Sequence, residues 1–379
     1  MKIGIVCYPT FGGSGVVATE LGKALAKKGH SIDFITYSQP FRLGSGEYSE
    51  NIYFHEVSFV NYPLFDYQPY ESALASKLVD VVKYEGLDLL HVHYAIPHAS
   101  AALMAKNILA AEGIHVPFVT TLHGTDITLV GRDPSFGQVI RYSLNMSDAV
   151  TAVSESLKKE TIEIFQIKSE VEVIPNFINT SDFSKISHEV QRKRIASKNE
   201  KILLHVSNFR KVKRVEDVLQ IFERVRKVVP SKLILVGDGP ERGTIESMCR
   251  QLQTCGDVIM LGKINDPKEI YSISDLFILP SETESFGLAA LEAMAMGVPV
   301  ISTNTGGLPE VNLQGQTGFL SNVGDIDNMA ANALRILRDE KILNEFRLNS
   351  REQAARFDIE NVLPKYLNLY QRFVLADRW

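Results

Sequence analysis

The feature that most limits the fold is a repeated alternation of short apolar runs with helical periodicity, opened by a glycine-rich turn. Residues 2–8 form a short apolar run suited to a parallel strand buried on both faces. Gly12-Gly13-Ser14-Gly15 follows, and Val16, Val17, Leu21, Ala24 and Leu25 then recur at helical spacing. Gly29 can stop that helix, and residues 31–37 read as the next strand. Such a β-α-β unit implies a parallel sheet. Further strands are expected at 87–93, 116–122, 149–153 and 171–174, with a small-residue helix at 99–111 and another helix from about Ser154.

A second run of the same kind has strands at 202–206, 232–236, 257–261, 276–279 and 298–302 and a helix at 215–228. Between the two runs lie the turn-rich Pro175-Asn176-Phe177-Ile178-Asn179 and the polar, basic stretch 191–198. The expected architecture is α/β: two Rossmann-like, doubly wound domains, 1–175 and 200–359, facing across a ligand cleft. A linker, 176–199, holds a short helix. The last helices, 326–338, 340–356 and 360–376, carry apolar stripes, and the C-terminal one, within 360–379, is expected to pack back on the first domain.

A length of 379 residues accommodates two domains. The 40 Lys and Arg against 45 Asp and Glu leave a net charge of −5, which gives no support to a nucleic-acid footprint. Arg192-Lys193-Arg194 is accordingly read as a solvated helix face. No apolar run approaches the roughly 20 residues of a membrane span. The first run lacks the charged start, long apolar stretch and cleavage site of a signal peptide. Cys7, Cys249 and Cys255, odd in number and without metal-site spacing, read as reduced thiols of a cytoplasmic protein.

Gly12-Gly13-Ser14-Gly15 stands where backbone N–H groups at a helix start can meet an anion. It is neither a Walker sequence nor a clean G-x-G-x-x-G, because position 18 is alanine. A tight turn and a sugar-phosphate contact both stay open. In the second half, Pro280-Ser281-Glu282-Thr283-Glu284-Ser285-Phe286-Gly287-Leu288 leads from a strand into a helix. The amides of Ser285, Phe286, Gly287 and Leu288 would then suit a diphosphate. Glu284 lies just before this helix and Glu292 two turns into it, so the two carboxylates offer acceptors at different depths of one pocket. Around Glu292, Ala289, Ala290, Leu291, Ala293 and Met294 compose a buried face, which speaks against a surface carboxylate.

Glu284-x7-Glu292 with its intervening Ser-Phe-Gly-Leu, Gly237-Asp238-Gly239-Pro240, and Thr303-Asn304-Thr305-Gly306-Gly307-Leu308-Pro309-Glu310 together resemble the retaining GT-B glycosyltransferases of family 4, over nearly the whole chain. The resemblance implies that Glu284 faces the donor-sugar hydroxyls, that Glu292 binds the nucleotide ribose, and that a family Arg and Lys five residues apart neutralise the diphosphate. In Ser207-Asn208-Phe209-Arg210-Lys211-Val212-Lys213, Asn208 stands at the Arg position and Lys213 at the Lys position, with Arg210 as the replacement cation. Gly237, Gly13, Ser14 and Gly15 complete the expected donor set. The family places a histidine near the donor sugar, here His123 ahead of Gly124-Thr125-Asp126. His123, Lys213 and Glu284 are the expected catalytic residues.

Three amino-terminal motifs narrow the likeness. Cys7-Tyr8-Pro9-Thr10-Phe11-Gly12-Gly13-Ser14-Gly15, His91-Val92-His93-Tyr94-Ala95-Ile96-Pro97-His98 and Thr120-Thr121-Leu122-His123-Gly124-Thr125-Asp126 are similar to those of the N-acetylglucosaminyl L-malate synthases of bacillithiol biosynthesis. That likeness implies UDP-N-acetylglucosamine as donor, L-malate as acceptor and no required cofactor. A dicarboxylate acceptor calls for cations and oriented donors. Arg141, on an expected helix, cannot lose its charge. Tyr94 and Thr121 end expected strands, where an α/β cleft opens, and Ser14 can serve either substrate. For His91, His93 and His98, satisfied core or cleft histidines are preferred to a metal site.

Lys213, Arg210 and the 285–288 amides would stabilise the leaving charge. Same-face attack is the expected route to retention, with a covalent intermediate on Glu284 as the alternative. Two other functions stay open. One is a UDP- or GDP-sugar hexosyltransferase acting on a lipid or polysaccharide, although the aromatic stretch 59–70 (Phe59, Tyr62, Phe65, Tyr67, Tyr70) has no Lys or Arg for an anionic membrane. The other is a non-catalytic sugar-nucleotide sensor, against which Glu284, Glu292 and Lys213 argue. Neither a nucleic-acid partner nor membrane insertion is expected, and a homo-oligomer is open.

Overall fold

Parallel strands covered by helices make each half of the chain. A computed structural model describes residues 1–10, 12–43, 50–59, 68–128, 130–183 and 189–374. The chain divides into two units, Met1–Phe177 with Ile359–Trp379, and Ile178–Asp358.

The first unit contains β1 (Lys2–Val6), β2 (Ser31–Thr36), β3 (Ile52–Glu56), β4 (Leu89–His93), β5 (Phe118–Leu122), β6 (Ala149–Ala152) and β7 (Val171–Val173). Among the described residues they form one sheet in the order β3-β2-β1-β4-β5-β6-β7, every pair parallel. Central β1 pairs Ile3 with Ile32 on one side and with Leu89 on the other. It reads as an unbroken apolar run because neither of its faces meets water. The helix Gly13–Lys27 buries Val17, Ala18, Leu21 and Leu25, the face its periodicity announced.

The second unit contains β8 (Lys201–Val206), β9 (Ser231–Val236), β10 (Val258–Gly262), β11 (Leu276–Leu279), β12 (Val300–Thr303) and β13 (Gly318–Ser321), in the order β10-β9-β8-β11-β12-β13. All its pairings are parallel as well. Val218, Leu219, Ile221, Phe222 and Val225 of the helix Val215–Arg226 share a core with Met329, Ala333 and Ile336 of the helix Ile326–Leu337.

The strand order reverses beside β1 in the first sheet, where β4 is its neighbour, and beside β8 in the second, where β11 is its neighbour. In open α/β sheets the crevice at the carboxyl ends of such strands is where ligands bind. The loops after β1, β4 and β5, and those after β8, β11 and β12, carry most of the candidate residues.

Two strands have no counterpart in the sequence expectation. β3 is an edge strand with Tyr53 51% and Phe54 38% exposed, so it lacks the buried run that marked the others. β13 begins at Gly318, where a Cβ would stand 1.7 Å from the Val300 carbonyl oxygen, and its four residues carry little apolar signal. The segment read as a linker also differs. Its helix Glu189–Ile195 belongs to the second unit, and Arg192 is not a solvated charge. Arg192 bonds the Ile273 carbonyl, donates to the Glu200 carbonyl at 3.0 Å and holds buried Asp275 at 2.7 Å. Asp275 also takes the Ile202 N–H at 2.8 Å and Arg347 at 2.6 Å, so the cations are recruited by a buried carboxylate.

The helix Ile359–Val374 buries Val362, Leu363, Tyr366, Leu369 and Tyr370 within the first unit. Of the aromatic stretch, Tyr62, Phe65 and Tyr67 lie outside the described residues, as does Phe11 of the first motif. Phe59 meets Tyr70 edge-on, with ring centroids 6.4 Å apart. Among the described residues no helix is long and apolar enough to cross a membrane.

Candidate active site

In the second unit, β8 runs into a loop that ends in the single turn Lys211–Lys213. Lys213 Nζ lies 2.5 Å from Glu284 Oε1, and Ser281 Oγ donates to the same oxygen at 3.0 Å. The Glu282 N–H bonds the Val212 carbonyl at 2.8 Å and ties the two loops together. The side chains of Lys213 and Glu284 are 20% and 15% exposed, shielded enough to strengthen their attraction yet still reachable. Asn208 and Arg210 on the same loop are exposed.

The helix Leu288–Ala295 starts after Gly287, which adopts φ 95°, with no capping side chain and no acidic residue in its first turn. Its first amides therefore lack a side-chain partner and form the kind of terminus that favours an anion. Ser285 is half-buried ahead of it. The Phe286 ring is core, packed edge-on against Phe357 with centroids 5.5 Å apart, so only its backbone can serve a ligand. Because the helix begins at Leu288, Glu292 lies one turn into it and not two. Buried Tyr271 donates its hydroxyl to Glu292 Oε2 at 3.1 Å and holds the carboxylate from within the unit.

The two glycine motifs fasten this loop set. A Cβ on Gly306 (φ +56°) would stand 1.9 Å from the Glu284 carbonyl oxygen, while the Gly307 N–H donates to that same oxygen at 2.8 Å. A Cβ on Gly237 would lie 1.8 Å from the Ser207 carbonyl oxygen. Gly237 thus packs against backbone beside the loop of Asn208 and Arg210.

Sequence reasoning missed His205, an imidazole inside an otherwise apolar strand. Its Nδ1 donates to the Ile278 carbonyl at 2.8 Å, so its Nε2 accepts the Ser207 hydroxyl at 2.7 Å. Burial pulls its pKa down to about 4.

In the first unit, Ser14 donates to the Tyr94 hydroxyl at 3.1 Å across a separation of 80 residues. The helix Gly13–Lys27 starts, like its counterpart, with no side-chain cap and no acidic first-turn residue. Gly13 is exposed, and a Cβ on Gly15 would lie 2.5 Å from the Tyr8 carbonyl oxygen. Tyr94 adopts φ 90°, and its N–H bonds the Thr121 carbonyl at 2.9 Å. Thr121 departs from the expected role. Its hydroxyl is buried and shared between His91 Nε2 and Thr151 Oγ1, each at 2.7 Å. Tyr370 of the C-terminal helix completes that inward network at His91 Nδ1, 2.7 Å away. Arg141 is exposed on the helix Pro134–Met146, which packs on Ala95–Ala99, and donates to Gln138 at 3.0 Å.

His93 Nδ1 lies 2.8 Å from His123 Nε2. Asp126 closes the Thr120–Asp126 motif, and nothing in its spacing signals a role of its own. Its carboxylate takes the Ala95 N–H and the Gly124 N–H, each at 2.9 Å, and so staples the turn after Tyr94 to the turn after His123. Burial pushes its pKa up to about 6 against the opposing pull of those amides. Asp126→Asn keeps the shape but replaces one acceptor oxygen with a donor. It is expected to cost about 1–3 kcal/mol in a denaturant titration, and an unchanged midpoint would contradict the staple. Among the described residues no group of three or more His, Cys, Asp or Glu side chains is arranged to hold a metal ion.

Burial lowers the pKa of His91 and His123 to about 3 and of His98 and His205 to about 4, from 6.5. Between those values the unfolded chain binds protons that the folded chain refuses. Stability from these groups is therefore full above pH 6.5 and lost as the pH falls towards 4. Asp126 acts with the opposite sign between pH 3.8 and about 6, but the buried histidines outnumber the carboxylates that burial raises. Thermal melts should show a clear loss between pH 7 and pH 5, on the order of 1–2 kcal/mol per histidine. A flat profile would contradict neutral burial.

Residues 11–182 match the family described as Glycosyltransferase Family 4, and residues 187–353 match Glycosyl transferases group 1. The chain is 47% identical over 380 residues to the N-acetyl-alpha-D-glucosaminyl L-malate synthase of Bacillus anthracis, covering 100% of this chain and 98% of that one. Sucrose-phosphate synthase from Thermosynechococcus elongatus aligns with a TM-score of 0.81 at 22% identity, over 99% of this chain and 100% of that one. Anabaena HepE in complex with UDP-glucose aligns with a TM-score of 0.82 at 20% identity, over 98% and 100%. These structures show the fold, GT-B with two Rossmann-like units. The chain belongs to glycosyltransferase family 4, and is a glycosyltransferase of the same family as the Bacillus anthracis synthase.

Proposed function

We propose that the protein transfers N-acetylglucosamine from UDP-N-acetylglucosamine to the hydroxyl of L-malate with retention at the anomeric carbon. The observation that carries this reading is the Lys213–Glu284 pair beside the uncapped start of the helix Leu288–Ala295. The full-length likeness to a relative named for that reaction supports the choice of substrates.

As the anomeric carbon–oxygen bond breaks, UDP gains negative charge and the sugar gains oxocarbenium character. Lys213 and the amides of Ser285–Leu288 meet the diphosphate, with Arg210 as an added cation. Glu284 accepts hydrogen bonds from sugar hydroxyls, and Glu292, braced by Tyr271, accepts from the ribose. Ser14, Tyr94 and Arg141 meet the acceptor, Gly13 and Gly15 line the turn beside it, and His123 contacts the sugar. The malate hydroxyl attacks the face that UDP leaves. A carbon–oxygen bond to malate replaces the one to phosphate, and the hydroxyl proton passes to the departing diphosphate oxygen.

UDP release from a panel of UDP-sugars, with and without L-malate, tests the reading. Malate-dependent release from UDP-N-acetylglucosamine is expected. Release only with lipid or polysaccharide acceptors would overturn it, as would UDP binding without turnover. Arg141→Ala should raise the malate KM about 10–100-fold, the worth of a charge-assisted hydrogen bond, with the donor KM unchanged. Equal malate dependence in variant and parent would remove Arg141 from the acceptor site.

A further inference from the structure

We propose that His93 is a positioning residue that fixes the tautomer of His123, so that His123 offers an Nδ1–H to substrate. Only the identity of the oxygen that receives this donor rests on the sugar-transfer reading.

His93 Nδ1 and His123 Nε2 are 2.8 Å apart, with ring centroids separated by 5.1 Å and planes inclined by 28°. That is the geometry of two imidazoles joined edge to edge through a nitrogen lone pair and an N–H. Exactly one of the facing nitrogens must carry the proton, because both rings are neutral: burial holds His123 at about 3 and His93 well below its ordinary value. The rest of the surroundings decide which nitrogen it is. Among the described residues His93 Nε2 is buried and has no hydrogen-bond partner. If His123 donated, the His93 proton would sit on that Nε2 as a buried, unpaired N–H, the rarer kind of defect. If His93 donates from Nδ1, its Nε2 is a bare lone pair and every N–H of the pair is used or reaches the surface.

His98 shows the same choice next door. Its Nδ1 bonds the His93 carbonyl, which can only accept, so its proton is on Nδ1 and its buried, unpartnered Nε2 is bare. His91, its ring centroid 4.4 Å from that of His93 and its plane tilted by 33°, has both nitrogens engaged and supplies no acceptor. With Nε2 of His123 accepting from His93, its proton lies on Nδ1. Among the described residues that nitrogen has no protein partner, and the His123 side chain is only partly buried. His123 is therefore a donor to a substrate oxygen and not a base, since its lone pair is already occupied.

Nitrogen-15 NMR of the histidine-labelled full-length protein tests this directly. The expected His123 pattern is a protonated Nδ1 and a bare Nε2; a protonated Nε2 would overturn the proposal. Substitution adds a kinetic readout. Asparagine places its amide where Nδ1 of histidine stands, whereas glutamine places it where Nε2 stands. His93→Asn is expected to keep kcat within about threefold of the parent, and His93→Gln to lower it about 10–100-fold with both KM values little changed. Equal kcat in His93→Gln and the parent, with an unaltered His123 spectrum, would overturn the positioning role. The spectrum of the unmodified protein needs no activity and no variant, so failure of the substrate assignment and failure of this proposal are separate outcomes.

Discussion

Replacing Lys213 by alanine is expected to lower kcat/KM for the sugar nucleotide about 10²–10³-fold, the usual cost of removing one preorganised group from a developing negative charge. Most of the loss should fall on kcat, because the leaving diphosphate carries its full charge only as the glycosidic bond breaks. The structure adds a second cost. Lys213 neutralises Glu284 at 2.5 Å, and its loss leaves a shielded carboxylate with, among the described residues, the Ser281 hydroxyl as its remaining side-chain donor. Lys213→Arg keeps the charge but not the point contact, and should fall between the two. Arg210→Ala, on the exposed side of the same loop, should cost less than Lys213→Ala. A Lys213→Ala enzyme within threefold of the parent would remove this residue from the chemistry.

The second large effect is on structure. Gly306→Ala must adopt a left-handed φ of +56° and push a methyl group into the Glu284 backbone, where 1.9 Å is available. Neither the strain nor the clash can be relieved by rotating a side chain. The expected loss is about 2–4 kcal/mol, a fall in Tm of about 5–12 °C for a unit the size of Ile178–Asp358 melting by itself. Donor affinity should fall with it, because the Gly307 N–H that fastens the Glu284 carbonyl moves too. A Gly306→Ala protein with the parental Tm and donor KM would show that this loop is not a fastener.

Much of the fold was legible because doubly covered parallel strands write themselves as unbroken apolar runs; β8 and β11 could be read almost to the residue. β3 could not, since on this exposed edge the apolar run is only Ile52-Tyr53-Phe54 before His55 and Glu56. In the second unit, one strand, one loop and one helix supply Glu284, Ser285 and Glu292, so local spacing was informative. Even there the depth of Glu292 was off by a turn, because Gly287 delays the helix start to Leu288. The first unit was less legible because its partnerships are distant in sequence. Ser14 meets Tyr94 from 80 residues away. Alternation along β5 says which residues share a face but not which face meets the crevice, and Thr121 turned out to face the buried His91 network. His93, His205 and Asp126 act through partners in other segments, which spacing cannot disclose.

Isolating the product shows whether this glycosyltransferase joins N-acetylglucosamine to L-malate with retention, as proposed. Protein incubated with UDP-N-acetylglucosamine and L-malate should yield one new compound with the mass of an N-acetylhexosaminyl malate, and its anomeric proton should show the α configuration of the donor. A β-linked product, or free N-acetylglucosamine with malate unconsumed, would rule out retaining transfer to malate.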